Sequence, residues 1–132
     1  MMKVKIVSVP VRDQQKALEF YTEKLGFIKK VDMPLSEGNR WLTIVSQYDQ
    51  DGPEILLEPA PLHFKPAEVF QDALKEKGIP WTGFYVDNLQ EEYERLLNLD
   101  ITFSVPPTEM GTVIFAVFDD TCGNFIQLVE EK

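Results

Sequence analysis

VSVPVRDQQKALEFYTEKLGF, residues 7–27, carries a strand directly into a helix. Its first part continues an alternation that begins at Lys3: KVKIVSVPV, residues 3–11, is rich in Val and Ile, and Val7, Val9 and Val11 fall on one side of an extended strand. Asp13 follows, placed to cap a helix over 14–25 because its carboxylate can accept from the free N–H groups of the first turn. Ala17, Leu18, Tyr21 and Leu25 recur at helical spacing, and Gly26 supplies the stop.

Outward from this unit, strands are expected at 27–32, 40–47 and 53–58, separated by the turn material SEGN and DQDGP. The order is therefore βαβββ. The segment APLHFKPAEVF leads into a connector helix over 66–77, with Pro66 suited to the first turn and Gly78 to the exit. The pattern then restarts. PWTGFYV, residues 80–86, reads as a strand; Asn88 caps the next helix with Glu91 in the capping-box position; Tyr93, Leu96 and Leu97 form its apolar stripe. A shift of 75 residues puts Val11 on Val86, Asp13 on Asn88, Leu18 on Tyr93 and Tyr21 on Leu96. Strands at 101–105, 112–118 and 124–130 complete a second βαβββ.

The chain thus reads as an α+β protein forming one domain over 1–132, with module one at about 1–60, a connector at about 61–78 and module two at about 79–132. A βαβββ unit covers one sheet face with its own helix and leaves the other face needing a partner. Two such units pairing their sheets would give a curved, incomplete barrel whose inner faces line a cavity.

Composition bounds the function. A net charge of -9 argues against a nucleic-acid backbone as partner, which calls for Lys and Arg clusters. The single Cys122 excludes an intrachain disulfide; in its turn it reads as a surface or half-buried thiol. The N-terminal MMKVKIVSVPV is too short and too soon interrupted for a signal peptide, and no apolar run approaches the roughly 20 residues of a membrane helix. A cytoplasmic location is expected. Glu130, Glu131 and Lys132 read as a solvated tail beyond the last strand.

VSVPVRDQQKALEFYTEKLGF, VDNLQEEYERL at 86–96 and FDDTCGNFIQLVE at 118–130 together resemble the vicinal oxygen chelate superfamily of glyoxalase I, bleomycin-resistance proteins and extradiol dioxygenases. The resemblance spans nearly the whole chain and is specific for the fold rather than for any one activity. It implies a glyoxalase/bleomycin-resistance-like barrel, a homodimer and, in metal-using members, four ligand positions. Carried onto this chain, those positions hold Ile6, Leu56, Trp81 and Gln127. No metal site and no cofactor are expected from such a set. Glu54 and Glu58 flank Leu56 on its own face, and a slip of register would be needed to place either at the ligand position. The sole histidine, His63, lies in the connector, so a facial triad of two histidines and a carboxylate cannot be assembled.

Strand alternation then predicts the lining: Ile6 and Ser8, Leu56 with Glu58, Trp81 and Tyr85, and Gln127, with Trp41 or Phe115 beside them. This mostly apolar, aromatic set with a few polar groups suits a small hydrophobic or aromatic molecule, and the acidity would attract a cationic one. The same side chains could equally fill the space between the sheets. Gln127 at an inward position needs a partner, which could be Ser8, Tyr85, water or a ligand. Two functions follow. The first is a metal-free binding protein of the glyoxalase/bleomycin-resistance type. The alternative is a lyase or isomerase-type enzyme of that superfamily using Glu54, Glu58, Tyr85 or Gln127 without metal, or with relocated metal ligands.

Overall fold

The computed structural model describes all residues, Met1–Lys132. The chain divides into two compact units, Met1–Val69 and Phe70–Lys132, and each holds one four-stranded sheet. The fold is α+β, with two open sheets built from successive βαβββ modules.

In the first unit, β1 (Ile6–Pro10) leads into α1 (Gln14–Glu19), followed by β2 (Ile28–Pro34), β3 (Arg40–Val45) and β4 (Glu54–Glu58). The sheet order is β1-β4-β3-β2, with β1 parallel to β4 and the other pairs antiparallel. Asp13 caps α1 as its position suggests, its Oδ1 accepting from Lys16 N at 3.0 Å. The helix does not stay α-helical to Leu25. Phe20–Lys24 widens into a π-helical turn, with Leu25 N donating to Phe20 O at 3.3 Å, before Gly26 ends it at φ 87°. Phe20 and Tyr21 are both buried there and meet edge to face.

A short α2 (Ala60–His63) and then α3 (Lys65–Lys77) follow, and α3 crosses the boundary between the units. His63 therefore sits exposed at the end of the short helix α2 within the connector. In the second unit, β5 (Thr82–Tyr85), α4 (Leu89–Asn98), β6 (Phe103–Met110), β7 (Val113–Asp119) and β8 (Phe125–Glu131) repeat the plan, with order β5-β8-β7-β6 and β5 parallel to β8. β6 runs five residues past the expected end because two register shifts let it follow β7 through Pro106 and Pro107.

Glu130 and Glu131 do not lie beyond the last strand, although Glu131 and Lys132 are exposed. β8 continues to Glu131 opposite Val113, and Lys132 N donates to Thr112 O. Glu130 turns towards α4, where its Oε1 accepts from Leu89 N at 2.7 Å, while Asn88 Oδ1 accepts from Glu91 N at 3.0 Å. Two of the orphan donors of that helix are thus met by a cap from its own sequence and by a carboxylate 41 residues away.

Candidate functional site

Helix and register together decide which way each strand residue points. In the first unit α1 packs on β3 and β4. Its buried Gln14 donates from Nε2 to the backbone oxygens of Leu57 and Arg40, at 2.9 and 2.7 Å. Val9, Leu42, Ile44 and Leu57 form the buried surface on that side. The alternate residues define the helix-free face: Ile6 opposite Glu54 and Ser8 opposite Leu56 on β1 and β4, Thr43 opposite Leu56 on β3, and Val31 opposite Thr43 on β2. Glu58 continues this row beyond Leu56, and Trp41 beyond Thr43.

Buried Thr43 fixes one carboxylate of this face. Its Oγ1 accepts from Val31 N at 3.2 Å and donates to Glu54 Oε1 at 2.7 Å. Glu54 and Glu58 are both half-buried, so they belong to the face and not to a solvated edge. On the opposite, helix-covered side, Arg40 grips Asp32 through Nε and Nη2 at 3.0 and 2.8 Å and reaches Gln15 Oε1 through Nη1. Those hydrogen bonds hold the Asp32 carboxyl below the usual carboxylate range, outweighing the opposing effect of burial.

In the second unit α4 packs on β6, β7 and β8. Ile126, Leu128 and the capping Glu130 point towards it, together with Ala116 and Phe118 opposite them. The helix-free face therefore carries Phe125, Gln127 and Val129 on β8, Val117 and Phe115 on β7, and Gly83 and Tyr85 on β5. Gly83 stands opposite Gln127 and Tyr85 opposite Val129. Trp81 begins this line, its N–H donating to Phe125 O at 2.8 Å. Four expected residues, Trp81, Tyr85, Phe115 and Gln127, thus share one face. The remaining four, Ile6, Ser8, Leu56 and Glu58, share the corresponding face of the first unit.

Their surroundings differ. Tyr85 is 67% exposed, Leu56 is buried, and Trp81, Phe115 and Gln127 are half-buried. The Gln127 carboxamide makes no hydrogen bond within the chain and keeps contact with solvent. Several neighbours were not foreseen. Phe70 meets Trp81 edge to face, with ring centroids 5.7 Å apart. Lys75 lies over the Phe125 ring at 4.8 Å and pairs with Asp119 at 3.2 Å. The second half of α3 therefore walls the Trp81 end of the face. These residues repeat no local motif, and the five-residue spacing of Phe70 and Lys75, about 140° apart around a helix, gives no hint that both reach this end of the face.

A buried latch holds that wall. Gln71 Nε2 donates to Asn124 Oδ1 at 3.0 Å and to Cys122 O at 3.3 Å, and Asp120 accepts from Cys122 N, Asn124 N and Asn124 Nδ2. Gly123, at φ 106°, leaves the space that the Gln71 carboxamide fills; a Cβ there would lie 2.7 Å from it. Cys122 is consequently buried at 3% exposure, not a surface or half-buried thiol.

The sequence model of the Glyoxalase/Bleomycin resistance protein/Dioxygenase superfamily matches residues 3–128. The chain belongs to this superfamily. It is 52% identical to the uncharacterized protein YurT of Bacillus subtilis (strain 168) over 130 residues, covering 98% of this chain and 100% of YurT. UcmS2 superposes with a TM-score of 0.84 at 32% identity, over 99% of both chains. TnmS3, an antibiotic binding protein from Streptomyces sp. CB03234, has the same fold, with a TM-score of 0.75 at 24% identity over 100% of this chain and 98% of its own.

Within this glyoxalase-type superfamily, the metal-using members need several charged or imidazole donors. The residues here do not fit that demand: Ile6 and Leu56 are aliphatic, Trp81 offers only an indole, and Gln127 offers one neutral amide oxygen. Glu54 is engaged by Thr43, and nowhere does the chain gather three or more His, Cys, Asp or Glu side chains into a group able to hold a metal ion. The chemistry open to these glyoxalase-type faces is stacking, apolar contact and hydrogen bonding through an amide, a phenol and two carboxylates. No helix is long and apolar enough to cross a membrane.

Proposed function

We propose that the chain is a small-molecule binding protein of the glyoxalase/bleomycin-resistance type, acting without metal through the aromatic-lined, helix-free faces of its modules. The observation that carries this is the grouping of Trp81, Tyr85, Phe115 and Gln127 on one face, with the Gln127 carboxamide unpaired inside the chain. A side chain that only filled a core would be apolar or satisfied by its neighbours. A half-buried amide among aromatics instead suits the polar edge of a flat, mostly apolar compound. Glu54 and Glu58 on the other face, with the net charge of -9, favour a compound that carries a positive charge. TnmS3, an antibiotic binding protein, supports the reading only in that the same fold can serve as a binder.

The reading is tested with a panel of hydrophobic and aromatic amines, because a compound that binds only the folded chain raises its melting temperature. At least one compound is expected to do so, and Trp81→Ala and Gln127→Ala should each reduce its affinity by about tenfold. A saturable, product-forming reaction lost in Glu58→Gln would overturn binding in favour of catalysis. The reading also includes a homodimer in the cytoplasm. Sedimentation showing a monomer at working concentration would remove the dimer.

A further inference from the structure

We propose that Gly83 is a specificity-determining position: its missing side chain opens a slot on β5, between Trp81 and Tyr85, for a flat ligand of two fused rings whose polar edge meets the Gln127 carboxamide. This rests on the binding reading above and narrows it to a ligand shape.

A glycine inside a strand weakens it, because its backbone loses more freedom on folding and it has no side chain to pack. Some requirement usually explains one, either a positive φ or a neighbour too close for a Cβ. Neither applies at Gly83. It is absent from the glycines with positive φ, and a Cβ there would meet only Gln127 O at 3.4 Å and Gln127 Cβ at 3.6 Å, which is ordinary contact. Gly123 shows the contrast, with φ 106° and Gln71 atoms at 2.7 Å from the added carbon. Folding of the second unit thus gives no reason for glycine at 83, and its position is exposed. What remains is close approach by something else to the backbone.

The surroundings define that something. The added Cβ would lie beside Gln127 Cβ, so the slot opens on the same face as the carboxamide, one strand spacing of about 4.8 Å away. Trp81 and Tyr85 flank it at two residues on either side. At about 3.3 Å per residue they stand about 13 Å apart along β5. Subtracting a carbon contact distance of about 3.5 Å at each ring leaves about 6 Å between the outermost ligand atoms. That fits two fused six-membered rings lying on bare backbone.

The test uses 6-aminoquinoline, a flat two-ring amine with a hydrogen-bonding edge, and cyclohexylamine as a non-planar control, titrated into wild type, Gly83→Ala, Gly83→Val, Trp81→Ala and Gln127→Ala. Gly83→Val should lower aminoquinoline affinity by about tenfold or more, with Gly83→Ala between it and wild type. The melting temperatures of both variants should stay level or rise, since a β-branched residue suits a strand better than glycine. That split separates a blocked slot from a damaged fold, and cyclohexylamine should not discriminate among the variants at 83. Unchanged aminoquinoline affinity in Gly83→Val, alongside losses in Trp81→Ala and Gln127→Ala, overturns the slot and leaves the binding reading standing. Absence of aminoquinoline binding by wild type overturns the slot as well; whether other compounds of the panel still raise the melting temperature then decides the wider reading separately.

Discussion

The two modules share a register and differ in what they present on it. Along the paired strands β1 and β4, the helix-free face runs Ile6 with Glu54, Ser8 with Leu56 and Pro10 with Glu58. Along β5 and β8 it runs Trp81 beside Phe125, Gly83 with Gln127 and Tyr85 with Val129. One module is aliphatic and acidic; the other is aromatic with an amide. Their connecting loops differ as well. Between β3 and β4 the turn is exposed, with Tyr48 at 90%; it has local bonds such as Gly52 N to Asp49 O, and its longer-range bonds come from exposed side chains, among them Lys5 to the Asp51 and Gly52 oxygens and Lys30 to Gln50 O. Between β7 and β8 the turn is sunk into the unit, with Asp120, Cys122 and Asn124 buried and Gln71 bonded into it. A repeated backbone therefore fixes where side chains stand without fixing what they do.

The comparison can be broken first at the cores, which should be equivalent. Tyr21 and Phe118 are fully buried on the helix-covered sides of their respective modules. Tyr21→Ala and Phe118→Ala should each cost about 3–5 kcal/mol in urea unfolding. A loss below about 1 kcal/mol in one alone would mean that its module contributes little to the cooperative fold.

The loops give the next largest effect, and here the modules should part. Asp120→Ala strands two backbone N–H donors and the Asn124 amide in a buried turn and is expected to cost about 2–3 kcal/mol. Asp49→Ala, in the exposed turn, should stay within about 0.5 kcal/mol. Equal losses would show that the buried network is no more than a surface turn in its energetics.

The smallest effect sharpens the electrostatic side of the first module. Asp32 has its carboxyl pKa lowered in the folded chain, chiefly by hydrogen bonds from Arg40. Its contribution is therefore present above the unfolded carboxylate value of about 3.9 and lost as pH falls through the lower folded value. The pair is partly exposed, at 24% and 26%, so Arg40→Met should cost at most about 1 kcal/mol near neutrality. Measured by urea midpoint against pH, that difference should shrink below about pH 4. A difference that stays constant down to pH 2 would assign the loss to packing of the arginine stem instead.

Much of this protein is local, and what is local was legible. Asp13 and Asn88 are short acceptors just ahead of apolar helical stripes, and both cap helices as their positions suggest. Alternation in IVSVP and FIQLVE puts Ile6 and Ser8 on one face of their sheet and Gln127 on one face of the other, because side chains on a strand alternate with a period of two. The π-helical turn at Phe20–Lys24 was not legible, since its residues satisfy an α-helical pattern equally well and only packing selects the wider turn. Nor was the role of Glu130, whose partner is 41 residues away, or the burial of Cys122, which depends on Gln71 reaching in from another helix.

The sequence by itself determined the order of elements, the two-fold repetition of the module and which strand residues share a face, all of which follow from spacing along one chain. The tertiary structure decided which of those faces a helix covers, that Thr43 engages Glu54, that Phe70 and Lys75 wall the Trp81 end, and that nothing in the fold requires glycine at 83. Those depend on distances between segments far apart in the chain, which periodicity does not encode.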